Sequence, residues 1–224
     1  VWGARVRREH PKKCRAALLA LLALVAFQLW FRTPPEALGP RLESPTVVDV
    51  TGLYPVEVEG VVRPRSTEEV QRLVRTLRGP ICIGGGRYSM GGQTATEGCT
   101  QVDMRGLHRV LGLDETRRTV RVEAGITWRS LQDFLDPRGW SVRIMQTYSS
   151  FTVGGSLGVN VHGRYIGEGP LVRSVESIRL VLADGSLVTA SPTENRELFY
   201  GAIGGYGAIG IIVEATLGIA ENVH

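Results

Sequence analysis

Residues 81–93 read ICIGGGRYSMGGQ, a short apolar run that breaks into a glycine turn. A strand followed at once by three glycines lets backbone N–H groups approach a ligand that any Cβ would hold away. Just upstream, residues 61–80 read VVRPRSTEEVQRLVRTLRGP. Ser66 and Glu69 form a capping box, and Val70, Leu73, Val74 and Leu77 follow at i, i+3, i+4 and i+7. This spacing predicts an amphipathic helix over 67–78, stopped by Gly79-Pro80. Downstream, CTQVDM at 99–104 is the next strand. Together these segments make one small β-α-β-β lobe, taken as residues 46–106.

From 107 the pattern changes to longer strands and tight turns: RVLGL, a polar DETRRT turn, then VRVEAG. Thr127 is placed to cap a short helix that carries Trp128, Leu131 and Leu135 on one face and ends at Pro137 and Gly139. In SIRLVLADGSLVTAS, Asp184-Gly185 is expected to form a two-residue turn between alternating strands. A helix around 193–202 and the strand GIIVEATLGI complete a second lobe, 107–222. The fold class is α+β: two lobes in one domain, 46–222, without the regular βαβ spacing of a doubly wound sheet.

Composition bounds the function. The chain has 224 residues, 43% of them hydrophobic and 21% charged, with a mean hydropathy of +0.01, which excludes a disordered chain and a multi-span membrane protein. Its +4 charge is misleading. Residues 1–15 hold six basic groups and one acid; removing them from 26 basic and 22 acidic leaves 20 and 21. The rest of the chain therefore sums to −1, and nucleic-acid binding loses its electrostatic basis.

Behind that basic N-terminus, residues 16–31 read AALLALLALVAFQLWF, with Gln28 the only polar side chain. As a helix, assigned to 16–32, the run spans roughly 24 Å, short of the ~30 Å hydrocarbon core. Three readings fit it: a signal anchor, a cleaved signal peptide and a buried core helix. The basic flank predicts a cytoplasmic N-terminus with the domain across the membrane, single-pass if anchored and exported if cleaved. Residues 33–45, TPPEALGPRLESP, are the linker.

Of the three cysteines, Cys82 and Cys99 are either a disulfide or two buried thiols, and no spacing suits a zinc site. Glycine makes up 28 of 224 residues, above the usual ~7%, and the excess is clustered. Gly84, Gly85, Gly86, Gly91 and Gly92 form one group; Gly154, Gly155, Gly158, Gly163, Gly167 and Gly169 a second; Gly201, Gly204, Gly205, Gly207 and Gly210 a third. Three such loops can enclose one large ligand, or be ordinary turns. The first is neither a P-loop, lacking Gly-Lys-Ser/Thr, nor a dinucleotide fingerprint, having Ser89 in place of the third glycine.

Six collinear segments resemble the FAD-binding domain of the p-cresol methylhydroxylase and vanillyl-alcohol oxidase family, nearest its aldonolactone-oxidase and decaprenylphosphoryl-ribose-oxidase branch. They are VVRPRSTEEVQRLVRTLRGPICIGGGRYSMGGQ, VDMRGLHRVLGLD, VRVEAGITWRSLQDFL, FTVGGSLGVNVHGR, VESIRLVLADGS and ELFYGAIGGYGAIGIIVEATL. The resemblance covers roughly 45–220 and implies a PCMH-type, two-lobed FAD domain. It implies that Ile83, Gly84, Gly85, Gly86, Arg87, Tyr88, Ser89, Met90, Gly92 and Gln93 wrap the pyrophosphate. It further implies that Asp103, Met104, Ala124, Gly125, Thr152, Val153, Gly154, Gly155, Ser156, Gly158, Asn160, His162, Gly163, Gly210, Ile211, Ile212 and Val213 line the rest. Gly85 is expected to lie too close to the pyrophosphate for a side chain and to favour a positive φ.

Many members bond the flavin covalently through a histidine in the first loop. Tyr88 stands there in this sequence, preceded by Arg87, so histidyl attachment at that position is excluded and non-covalent FAD is expected. His162, between Val161 and Gly163, is either a structural hydrogen-bonder or a group near the flavin ring, and it is the one candidate for catalysis. His10, His108 and His224 read as solvent or loop residues. Tyr148 reads as an exposed or core residue before a flavin neighbour, and Trp128 and Phe134 as core. No metal is implied.

Family members continue past the last strand into a substrate domain, and this sequence stops at His224. A truncated chain and a second polypeptide that completes the site are both consistent with that. The implied activity is hydride transfer from a hydroxylated carbon of a sugar, polyol or lactone to FAD. A flavin-binding module of a split complex and a tethered domain without cofactor are the alternatives.

Overall fold

The computed structural model describes residues 46–222. The apolar run at 16–31 and the linker lie outside the described residues, among which no helix is long and apolar enough to cross a membrane. Strands β1 (Thr46–Val47) and β2 (Val56–Glu57) pair antiparallel. They precede a three-stranded parallel sheet of β3 (Gly60–Val62), β4 (Ile81–Gly84) and β5 (Thr100–Asp103), ordered β3-β5-β4. Helix α1 (Thr67–Thr76) crosses from β3 to β4. Ser66 Oγ accepts from Glu69 N, and the Glu69 carboxylate accepts from Arg65 N, close to the expected reciprocal cap. Val70 and Leu73 are buried, with Val74 and Leu77 packed beside them.

The second sheet is antiparallel, ordered β10-β9-β11-β7-β6. It contains β6 (Val110–Asp114), β7 (Thr119–Glu123), β9 (Val175–Val181), β10 (Leu187–Ala190) and the long β11 (Ile211–Glu221). The far end of β11 also pairs with β8 (Trp140–Val142), a strand not foreseen from the sequence. Helix α2 (Trp128–Leu135) is capped by Thr127 and buries Trp128, Leu131 and Leu135; Asp136–Arg138 adds a 3-10 turn that Gly139 ends at φ +75°. Phe134 packs half-buried against the same core.

Three local readings need correction. The β9–β10 loop is three residues, Ala183 to Gly185: Gly185 N bonds Leu182 O at 2.8 Å, Leu182 N bonds Ser186 O at 2.9 Å, and Gly185 takes φ +76°. A turn closed by a left-handed glycine needs that third residue. Helix α4 (Arg196–Ala202) starts later than expected, behind Asn195 at φ +49°. Residues Val153–Gly158, read as a glycine loop, form helix α3, capped by the Thr152 side chain on Gly155 N.

One apolar cluster joins α1 and the parallel sheet (Val62, Val70, Leu73, Val102) to strand residues of the large sheet, Val181, Ile211 and Val213. Burial of such side chains contributes roughly 1.5–3 kcal/mol each, which holds the two sheets together. Cys82 and Cys99 are free thiols. Burial and then the neighbouring Cys99 thiol push the Cys82 thiol up to about 12.

Candidate functional site

The three glycine clusters converge. β4 delivers Gly85 and Gly86 to one wall of a cleft, and α3 supplies the facing wall. That wall is fixed by backbone bonds from Val153 N to Ile126 O (2.8 Å), Gly154 N to Ala124 O (2.7 Å) and Trp128 N to Phe151 O (3.0 Å). The third cluster closes the end: Gly204 N bonds Leu157 O and Tyr206 N bonds Gly158 O, both at 2.9 Å.

The cleft has a volume of about 230 Å³ and is lined by Ile83, Gly85, Gly86, Arg87, Tyr88, Ser89, Gln93, Thr152, Gly154, Gly155, Ser156 and Gly158, all foreseen. A smaller continuation of about 50 Å³ shares Gly85, Thr152 and Gly155 and adds Met104, Ala124, Gly210 and Ile212. The sequence reading missed Thr94, Gln146, Phe151, Val159 and Tyr206, and it named Gly207 only as a member of the third glycine cluster. Tyr206 and Gly207 sit inside the third glycine cluster, which was a usable signal; Gln146 lies in no motif.

Other foreseen residues lie outside the cleft lining. Gly84 backs onto Gln101, whose Nε2 would be 2.5 Å from an added Cβ. Met90 is exposed, and Gly92 holds a turn at φ +75°. Gly125 packs against the Met104 and Leu107 carbonyls, while Val153, Ile211 and Val213 are core. Asn160 Oδ1 accepts from Val172 N. His162 is exposed, its Nδ1 3.0 Å from the Gly163 carbonyl, and Gly163 abuts the Met145 carbonyl. Gly85 does not take a positive φ; it is needed for space, because its Cβ would lie 2.2 Å from Thr152 Oγ1.

Asp103 is fully buried and holds arginines. Its carboxylate accepts from Arg63 (2.8 and 3.1 Å) and Arg105 (2.6 and 2.8 Å), with Arg87 Nη2 at 3.9 Å. Burial pushes this carboxyl up, but the bonds from Arg105 and Arg63 outweigh it and hold it below the usual carboxylate range. Arg87 is pulled down, first by burial and then against the pull of Asp103 by its fellow arginines. Three guanidiniums on one carboxylate leave two positive charges around Asp103, and of the three Arg87 lines the cleft. Arg87 also sits at φ +60°, a conformation costing roughly 1–2 kcal/mol, and its buried Nε has no partner among the described residues. Tyr88, Tyr148 and Phe151 pack edge to face, with centroids 4.7–5.4 Å apart; Tyr148 is exposed.

The sequence profile of a family described as "FAD binding domain" matches residues 58–191. The chain belongs to that FAD-binding family. It is 30% identical to L-gulonolactone oxidase of Mus musculus over 174 residues (76% of this chain, 39% of the relative). It is 31% identical to alditol oxidase of a Streptomyces species over 176 residues (78% and 42%). It is also 31% identical to decaprenylphosphoryl-beta-D-ribose oxidase of Mycolicibacterium smegmatis over 187 residues (83% and 39%). The chain thus spans about two fifths of the length of these curated relatives.

The residues present fit FAD. An FAD-binding domain must cradle a dianionic pyrophosphate, and the bare Gly85–Gly86 backbone and the Arg87 guanidinium that line the cleft supply a cradle of that sign. Tyr88 and Phe151 offer aromatic faces in the same cleft. The reading as a tethered domain without cofactor is set aside by the family membership.

Proposed function

We propose that this chain is the flavin-holding part of an oxidoreductase that oxidises a hydroxylated carbon of a sugar, polyol or lactone. When bound, FAD supplies the acceptor for the two electrons removed. The chain's own residues bind and orient it: Gly85, Gly86 and Arg87 hold the pyrophosphate, and Thr152 to Gly158 wall the cleft. The observation that carries the reading is the convergence of three glycine clusters on one cleft that Arg87 also lines. Relatives named for gulonolactone, alditol and decaprenylphosphoryl-ribose oxidation support the substrate class.

The substrate side of the site is proposed to come from sequence beyond the matched region, on this or a second polypeptide, because the relatives are more than twice as long as the match. FAD is held without a covalent bond, since Tyr88 replaces the linking histidine. The purified protein is expected to be yellow and to release free FAD into the supernatant on acid precipitation. Flavin left in the pellet would defeat the non-covalent reading, and a colourless chain that takes up no FAD would defeat the function.

Residues 1–15 carry a net charge of +5 ahead of the apolar run, which supports a membrane anchor at 16–32 with the flavin domain on the far side. Carbonate extraction with N-terminal sequencing is expected to leave the protein in the membrane with 16–31 present. A soluble protein retaining those residues rejects the anchor.

A further inference from the structure

The cleft wall built on α3 holds a chain of three hydrogen-bonded side chains, the first bond of which has its polarity fixed by chemistry. The Trp128 indole N–H donates to Ser156 Oγ at 2.9 Å, and the Ser156 hydroxyl donates to Gln146 Oε1 at 2.8 Å. An indole nitrogen has a proton to give and no lone pair to offer, so the first bond cannot reverse. Ser156 accepts there with one lone pair, and the structure directs its single proton to Gln146 Oε1. Trp128 and Ser156 are 0% and 2% exposed, so water does not compete for the bond between them. The Gln146 amide is therefore turned with its NH2 away from Ser156. Gln146 lines the cleft, and Nε2 has no hydrogen-bond partner among the described residues.

We infer that Gln146 presents its two N–H donors to the carbonyl-bearing ring of the flavin, and that Trp128 and Ser156 are positioning residues acting through it. The inference rests on FAD occupying this cleft. Bare glycine amides and guanidinium charge suit the pyrophosphate, whereas a neutral amide donor beside the aromatic faces of Tyr88 and Phe151 suits a flat, neutral ring with carbonyl acceptors. A donor aimed at that ring binds its reduced form more strongly than its oxidised form, because reduction adds negative charge there.

Gln146→Glu keeps the shape and replaces the donors with oxygen, and it is tested in the full chain by FAD fluorescence quenching and by the potential of the bound flavin. At neutral pH, FAD affinity is expected to fall by roughly tenfold or more and the potential to move negative. Affinity should recover as the pH is lowered and the acid regains a proton to donate. Gln146→Leu loses the donors without adding charge, so its smaller loss is expected to be independent of pH. Ser156→Ala frees the amide to turn and is expected to lose less than Gln146→Glu, with melting temperatures separating unfolding from lost binding. A Gln146→Glu chain that binds FAD as tightly as wild type at every pH overturns the inference, since the amide carbonyl then faces the cleft. Wild type that takes up no FAD overturns the inference together with the proposed function. Normal uptake by wild type and by all the variants overturns the inference alone.

Discussion

Glycine serves the two walls of the cleft for different reasons. In the loop after β4, the atoms that crowd an added Cβ belong to side chains: Thr152 Oγ1 at 2.2 Å for Gly85, and the Tyr88 ring at 2.8 Å for Gly86. In and just behind the other wall, main-chain atoms join or replace the side chains at Gly154 and Gly125. A Cβ on Gly125, just behind that wall, would lie 1.9 Å from the Met104 carbonyl oxygen, and one on Gly154 would meet Ala124 at both its Cβ (2.8 Å) and its carbonyl oxygen (2.9 Å). The first wall carries a strained Arg87 and a partnerless guanidinium nitrogen; in the second, the polar groups of Thr152 and Ser156 are bonded. The loop wall meets a ligand with bare backbone and a strained arginine, while the α3 wall is largely finished packing whose one unpartnered donor group is the Gln146 amide. A glycine excess in such a domain therefore counts both ligand approach and chain crossing, and composition alone merges the two.

The sharpest way to break this comparison is to make the same change in the glycine loop and just behind the facing wall. Gly125→Ala pushes a methyl into main chain that cannot rotate away, and about 3 kcal/mol of stability is expected to be lost. Gly85→Ala meets the tip of Thr152, which can turn at the expense of its cap on Gly155 N, a loss of about 1 kcal/mol. FAD affinity of the still-folded Gly85→Ala chain is expected to drop roughly tenfold as the walls are forced apart. Urea unfolding and FAD titration of the two variants check this. A Gly85→Ala chain less stable than Gly125→Ala, or one with undiminished affinity, would show that the walls do not divide in this way.

What the sequence made legible was what local chemistry decides. The capping box at Ser66 and Glu69, the Thr127 cap and the strand-to-glycine transition at 81–86 each declare themselves within a few residues. α3 was illegible because VGGSLG has three glycines, each roughly 1 kcal/mol worse than Ala in a helix. The helix forms because Val153 and Leu157 are buried and Thr152 caps it, which is tertiary information. Asp103 was placed beside the cofactor by resemblance, while its contacts are to Arg63, 40 residues away, and to Arg105. Gln146 had no signal at all, since its significance comes from Ser156 and Trp128 reaching it through space.

The difference between a wall held by charge and a wall held by packing should also show in acid. Asp103 has its folded pKa depressed, so the stability it contributes is present above the ordinary carboxylate value of about 3.9 and is lost as the pH falls through the depressed folded value. Arg63 and Arg105 are 38% and 42% exposed, so water screens the pairs and the contribution is held to about 1 kcal/mol. Asp103→Asn removes it at every pH. Wild type is therefore expected to be about 1 kcal/mol more stable than Asp103→Asn at pH 6, with the gap closing toward pH 2. Glu123 and Glu214 are also paired with arginines and add their own acid sensitivity, but they do so equally in both chains. Hydrogen exchange localises the effect: in wild type, amides at 85–93 should lose protection as the pH drops below about 4, while those at 153–158 stay protected until the chain unfolds. Equal acid sensitivity of the two chains, or simultaneous loosening of both segments, would mean that the arginine cluster around Asp103 does not hold the glycine loop.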